Sequence, residues 1–126
     1  IADIIINTEK TITDSSVLVF GYGNIGRLLV DYLKKLGADV TVSVLLDEDK
    51  RVLDNKNINN FFSYDRECLI DSIGHSDIII NTVPKTIIND SDIKYLNRDV
   101  YFLDISSHPH GINQEILDEF FIKNKL

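Results

Sequence analysis

Cysteine occurs once in this chain, at Cys68, and methionine and tryptophan do not occur at all. A lone cysteine excludes an internal disulfide framework and fits a reducing, cytoplasmic setting. Cys68 stands among Leu69, Ile70 and Ile73 and reads as core filler, not as a nucleophile. Basic charge is also scarce: 13 Lys and Arg face 20 Asp and Glu, for a net charge of -7. A nucleic-acid surface needs clustered cations to neutralise phosphates, so that class of partner is not expected. No apolar run approaches the roughly 20 residues of a membrane-spanning helix, and no signal-peptide pattern opens the chain. The chain carries no start residue, opens inside an apolar run and closes on Phe120-Phe121-Ile122, which reads like the start of another strand. The expectation is one domain of a longer two-domain protein, with residues 1–15 as the end of a connector or helix and 16–126 as the domain.

The 126 residues present are enough for one compact core, at an ordinary 44% hydrophobic and 26% charged. Their organising stretch is Val17-Leu18-Val19-Phe20-Gly21-Tyr22-Gly23-Asn24-Ile25-Gly26-Arg27. Four apolar residues read as a strand buried on both faces, and they run straight into G-x-G-x-x-G and a helical pattern. Gly21 would let the chain turn, Gly23 would let a pyrophosphate approach the backbone, and Gly26 would let the helix sit close to the strand. The first-turn amides and the helix dipole then make an anion site. In this strand–turn–helix context the motif predicts a dinucleotide site, with Tyr22 and Asn24 contributing mainly backbone and Arg27 near a phosphate or simply exposed.

The rest of the chain alternates strands and helices. Residues 1–8 fit either a strand, by β-branched density, or one helical face. The DIIINT hexapeptide there recurs at 77–82, without the sustained period of a repeat protein. After Gly26 the positions Leu28, Leu29, Tyr32, Leu33 and Leu36 mark a helical stripe that Gly37 should stop. Strands are expected at 39–45, 59–64, 77–82 and 100–105. Helices are expected at 47–55, 66–73 (ended by Gly74), 90–96 and 114–121. This spacing implies right-handed βαβ crossovers and an α/β, three-layer, doubly wound parallel sheet of Rossmann type, in the order 3-2-1-4-5. Ligands then bind at the carboxyl ends of the strands.

Those ends supply the candidate residues. Strand two should finish in a carboxylate for the ribose of NAD, or near an arginine for NADP, and neither is in register. Asp47, Glu48 and Asp49 come late, and Asp47 reads as a helix N-cap; Ser43 and backbone groups are left to hold the ribose. Strand four ends Asn81-Thr82-Val83-Pro84, a loop that would flank a nicotinamide, or a simple strand-ending proline. Strand five ends Asp104-Ile105-Ser106-Ser107-His108-Pro109-His110-Gly111. The H-x-H pair lacks a supporting ligand segment, so no metal is expected. Neither Ser106 nor Ser107 sits in G-x-S-x-G, so acyl-transfer chemistry is not expected either. The loop instead suits carboxamide and substrate contacts. His75 reads as an ordinary loop residue.

Three segments, SSVLVFGYGNIGRLLVDYLKKLGADVTV, SDIIINTVP and FLDISSHPHG, together resemble the cofactor domain of the family formed by the A subunit of dipicolinate synthase, from about Thr11 onward. The resemblance implies NADP- or NAD-dependent oxidation of a dihydrodipicolinate-type dicarboxylate to dipicolinate during sporulation. It also implies a separate substrate domain and a second, flavoprotein-like subunit; a homo-oligomer is expected as well. It assigns Gly21, Tyr22, Gly23, Asn24, Ile25 and Gly26, with Ser43, Thr82, Val83, Pro84, Asp104 and Ser106, to the cofactor, and Ser107 and His108 to the substrate. No catalytic base is assigned, His108 being the local guess. The chain departs from the family pattern at Leu45, where an arginine is usual, at His108, also in an arginine's place, and at His110, in a glycine's. Two alternatives are a D-2-hydroxyacid dehydrogenase-like nucleotide domain, which would want an aspartate after strand two and an arginine in the strand-five loop, and a regulatory nucleotide module of potassium-transport type, which needs neither the INT-P nor the D-I-S-S-x-P loop.

Overall fold

In the computed structural model, residues 12–85 and 87–106 are described. Five parallel strands form one sheet: β1 (Ser16–Phe20), β2 (Asp39–Val44), β3 (Asn59–Phe62), β4 (Ile78–Asn81) and β5 (Tyr101–Asp104). Their spatial order is β3-β2-β1-β4-β5, as the alternation of elements predicts. The helices are α1 (Asn24–Lys35), α2 (Asp47–Asn55), α3 (Arg66–His75) and a 3-10 helix (Asp90–Tyr95).

Each strand residue faces the side opposite its neighbour, and the core divides accordingly. Val17, Val19, Val40, Val42, Ile78 and Ile80 pack with Leu29, Val30 and Leu33 of α1 and Leu53 of α2. Leu18, Phe20 and Ile79 pack on the other face with Leu69 and Ile73 of α3 and with Ile88 and Leu96 around the 3-10 helix. The apolar runs of β1 and β4 therefore need no polar alternation, because helices cover both faces. At about 1.5–3 kcal/mol for each fully buried aliphatic side chain, this two-sided burial drives assembly of the sheet.

Two expectations about helices are corrected. The buried face of α1 is Gly26, Leu29, Val30 and Leu33, whereas Leu28 and Tyr32 are 73% and 40% exposed. Gly26 sets this phase: an added Cβ there would lie 2.6 Å from the Gly21 carbonyl oxygen, so that side of the helix must face the β1 turn. Gly74 does not end α3, which continues to His75; its missing side chain leaves room for the Tyr95 carbonyl, 3.1 Å from a Cβ position. Gly37 does act as the stop for α1, at φ +87. Residues 1–11 of the expected connector (1–15), the last helix at 114–121, and Ser107, His108 and His110 lie outside the described residues.

Candidate functional site

The carboxyl ends of β1, β2 and β3 and the loop after β4 enclose a cavity of about 460 Å³. The glycine loop contributes Phe20, Gly21, Tyr22 and Gly23, the β2 end and the start of α2 contribute Ser43, Leu45, Leu46 and Asp49, and the segment after β4 contributes Val83, Lys85 and Ile87, with Ser63 and Leu69 also lining it.

Each glycine of the loop is there for a separate reason. Gly21 has φ +100, a conformation that costs an ordinary residue strain, and a Cβ on it would strike Thr82 Oγ1 at 2.4 Å. Gly26 lies against the Gly21 backbone. A Cβ on Gly23 would meet nothing within 4 Å, so its bareness serves no packing contact among the described residues. Gly23 is also the N-cap of α1; it makes no side-chain cap bond, and the first turn of α1 carries no acid. That leaves the amides of the first turn free to hold an anion. The Gly21 amide donates to the Ser43 carbonyl at 3.0 Å, tying the loop to the end of β2.

Tyr22 is not the incidental side chain expected from its place in the loop. It is buried, with the Arg27 guanidinium carbon 5.2 Å from its ring centroid. Arg27 Nε donates to the Tyr22 carbonyl at 3.2 Å and Nη2 to Asp49 Oδ1 at 3.1 Å. Arg27 is an exposed helix arginine, as the second of its two readings has it, with its side chain 51% exposed while making these contacts. Asp47 is not the N-cap of α2; Leu46 is, and Asp47, Glu48 and Asp49 fill the first turn. Of the three, Asp49 is the one that lines the cavity, with its side chain only 12% exposed. Just two residues separate β2 from α2, and that short entry was the available signal that the third helical residue would swing back to the cavity. Ser43 is buried in the wall, sharing a 2.6 Å hydrogen bond with Ser63.

The β4–β5 side is organised by Asn81, which is completely buried. Its Nδ2 donates to the Val83 carbonyl at 2.8 Å, to Ser106 Oγ at 3.3 Å and to Asp104 Oδ1 at 3.4 Å, and its Oδ1 accepts from the Val83 amide at 3.1 Å. Asp104 Oδ1 also accepts from the Ser106 amide at 2.9 Å and from the Ser106 hydroxyl. Thr82 turns away from the cavity and donates to the Phe20 carbonyl at 2.6 Å, bracing the glycine loop from behind. Pro84 is exposed and does not line the cavity. The structure therefore brings Gly21, Tyr22, Gly23, Ser43 and Val83 to the cavity, and gathers Asp104 and Ser106 about Asn81 beside it. Asn24 and Ile25 open α1 at the surface. Asp49, Ser63, Lys85 and Ile87 are cavity residues, and Asn81 an organising one, that the motif left out.

Cys68 packs against the α3 face of the core, and its Sγ donates to Asp65 Oδ2 at 3.3 Å. That hydrogen bond to a carboxylate, with burial, raises the thiol pKa and keeps it protonated. Among the described residues no three His, Cys, Asp or Glu side chains are grouped to hold a metal ion, and no helix is long and apolar enough to cross a membrane.

No family model matches the chain. The A subunit of dipicolinate synthase from Bacillus subtilis (strain 168) is 27% identical to it over 117 residues, which are 93% of this chain and 38% of that protein. A crystal structure of dipicolinate synthase, A chain, from Bacillus subtilis matches with a TM-score of 0.87 and 25% identity, over 94% of this chain and 39% of that one. Its counterpart from Bacillus halodurans gives a TM-score of 0.88 at 21% identity, over 96% of this chain and 40% of that one. Salmonella D-lactate dehydrogenase shares the fold, with a TM-score of 0.74 at 17% identity over 94% of this chain and 35% of its own. The chain spans about two-fifths of the length of the dipicolinate synthase polypeptides it matches. In both sequence and fold, it resembles the A subunit of dipicolinate synthase.

Proposed function

We propose that this chain is the nicotinamide-dinucleotide-binding domain of an oxidoreductase similar to the A subunit of dipicolinate synthase. The observation that carries the reading is the division of labour among the three glycines. A tight turn alone would require Gly21, and close helix packing would require Gly26. Gly23 answers to neither: it lines the cavity, and nothing lies within 4 Å of where its side chain would stand. The uncapped start of α1 beside it suits a pyrophosphate. Val83 lines the cavity under Asn81's control, so it suits one face of a nicotinamide ring. Lys85, at the rim, would add a positive charge toward the phosphates.

When bound, the dinucleotide would supply the hydride acceptor, taking hydride from substrate carbon while a proton leaves separately. The chain's own part is to hold, orient and shelter the reacting groups. Asp104 and Ser106, and Ser107 and His108 beyond them, would meet the carboxamide and a dihydrodipicolinate-type dicarboxylate. A substrate domain, a role in sporulation and a second, flavoprotein-like subunit follow from the same resemblance, and assembly as a homo-oligomer is proposed beside them. Titrating the full-length protein with NADH and with NADPH, read by nicotinamide fluorescence, should give saturable binding of at least one. Failure of both to saturate refutes the reading.

A further inference from the structure

Two helix N-termini border the same cavity, and they are built in opposite ways. The start of α1 has a bare glycine cap and no acid in its first turn. The start of α2 has Leu46 as cap and three consecutive acids, Asp47, Glu48 and Asp49, in its first turn. The acids satisfy the α2 dipole from within the chain. They leave that end, unlike the α1 end, with nothing to offer a phosphate and a strong field against one.

We infer that the cavity selects a dinucleotide with an unphosphorylated adenosine ribose, NAD(H), and rejects the 2′-phosphate of NADP(H). The inference rests on the dinucleotide reading of the cavity. In a doubly wound fold the adenosine ribose lies beyond the end of the second strand, where a carboxylate takes its hydroxyls or an arginine takes its phosphate. Here that place is walled by Leu45 and Leu46, both more than half exposed, and by the Asp49 carboxylate.

Two of the nearby cations, Arg27 and Lys50, make contacts of their own. Arg27 is held between Asp49 Oδ1 and the Tyr22 carbonyl. Lys50 Nζ is directed to Asp54 and Asn60, at 3.2 Å from each. Lys85 reaches the cavity from the β4 loop, across β1 from the α2 end. Asp49, by contrast, has acceptor capacity beyond the one bond Arg27 uses, since a carboxylate offers about four acceptor positions. A ribose hydroxyl can donate to it, whereas a phosphate dianion placed there would meet the Asp49 carboxylate, with Asp47 and Glu48 in the same helical turn.

Titration of the full-length protein with NADH and NADPH in parallel tests this. NADH should bind at least about tenfold more tightly at low ionic strength, and the ratio should shrink as salt screens the α2 acids. Leu45→Arg, which puts a guanidinium on an exposed wall position, should strengthen NADPH binding relative to NADH. Asp49→Asn should weaken NADH and narrow the preference. If NADPH binds as tightly as NADH, or Leu45→Arg does not improve it, the inference is overturned while the dinucleotide reading stands. If neither dinucleotide binds, both fall.

Discussion

On the β1–β2 side of the carboxyl edge, the wall is backbone and bare glycine: the Gly21 amide on the Ser43 carbonyl, Gly26 against Gly21, Gly23 open to the cavity. On the β4–β5 side, one buried side-chain amide does the organising, as Asn81 grips both backbone groups of Val83 and reaches Asp104 and Ser106. A backbone-built wall tolerates no added atom where it is packed and any small side chain where it is open. A wall held by side-chain hydrogen bonds should instead fail by degrees, bond by bond. The difference suits the ligand proposed for each end. A pyrophosphate needs close main-chain approach, while a ring and a variable substrate need an adjustable polar frame.

The largest effect expected from this contrast is at the glycines. Gly26→Ala puts a Cβ 2.6 Å from a backbone oxygen that cannot yield without moving α1 off β1. A loss of about 3 kcal/mol or more is expected in urea melts. Gly23→Ala, with open space around its Cβ and an ordinary φ of -78, should stay within about 0.5 kcal/mol of the parent. It should nonetheless lose dinucleotide affinity by about tenfold or more, since the methyl occupies the pyrophosphate's approach. If the two variants melt alike, the distinction between a packing glycine and a ligand glycine is wrong.

Next in size is Asn81→Ala. Removing the amide strands the Val83 backbone and one side of Asp104, for an expected cost of about 2 kcal/mol. If the two walls are independent, this variant should still bind ADP-ribose, which lacks the nicotinamide ring, within about twofold of the parent by calorimetry. Loss of ADP-ribose binding in a folded variant would show that Asn81 supports the glycine loop as well.

The same contrast explains what the sequence made legible. The glycine loop, the five strands and their order follow from local pattern: apolar runs, turn residues and the alternation of elements. The positions that escaped are those defined by contacts between distant segments. The phase of α1 could not be read from Leu28 and Tyr32, which look like core residues until Gly26 is seated on the β1 turn. Asp49 is one of three consecutive acids, and only the entry angle of α2 makes it the one at the cavity. Asn81 sits at the end of an apolar strand, a visible oddity, but its role needs β5 alongside at Asp104.

The smallest effect, and the one that sharpens the comparison by pH, concerns the outer support of the β4 side. Ile87 lines the cavity and Ile88 is buried next to it, and the chain that follows is pinned at Asp92. The Asp92 carboxylate is fully buried, accepting from the Arg66 guanidinium of α3 and from the Asn89 amide at 3.0 Å. Burial pushes its pKa up, but the hydrogen bonds from Arg66 and Asn89 and the Arg66 charge prevail, leaving it below the ordinary carboxylate value. A lowered folded-state pKa means the stabilisation is fully present above the unfolded value, about pH 4, and is lost as pH falls through the folded one. Asp92→Asn should therefore be less stable than the parent at about pH 7, with the gap closing as both are taken well below about pH 4. A gap that persists undiminished in acid would mean that Asp92 holds this wall by shape, with its charge contributing nothing.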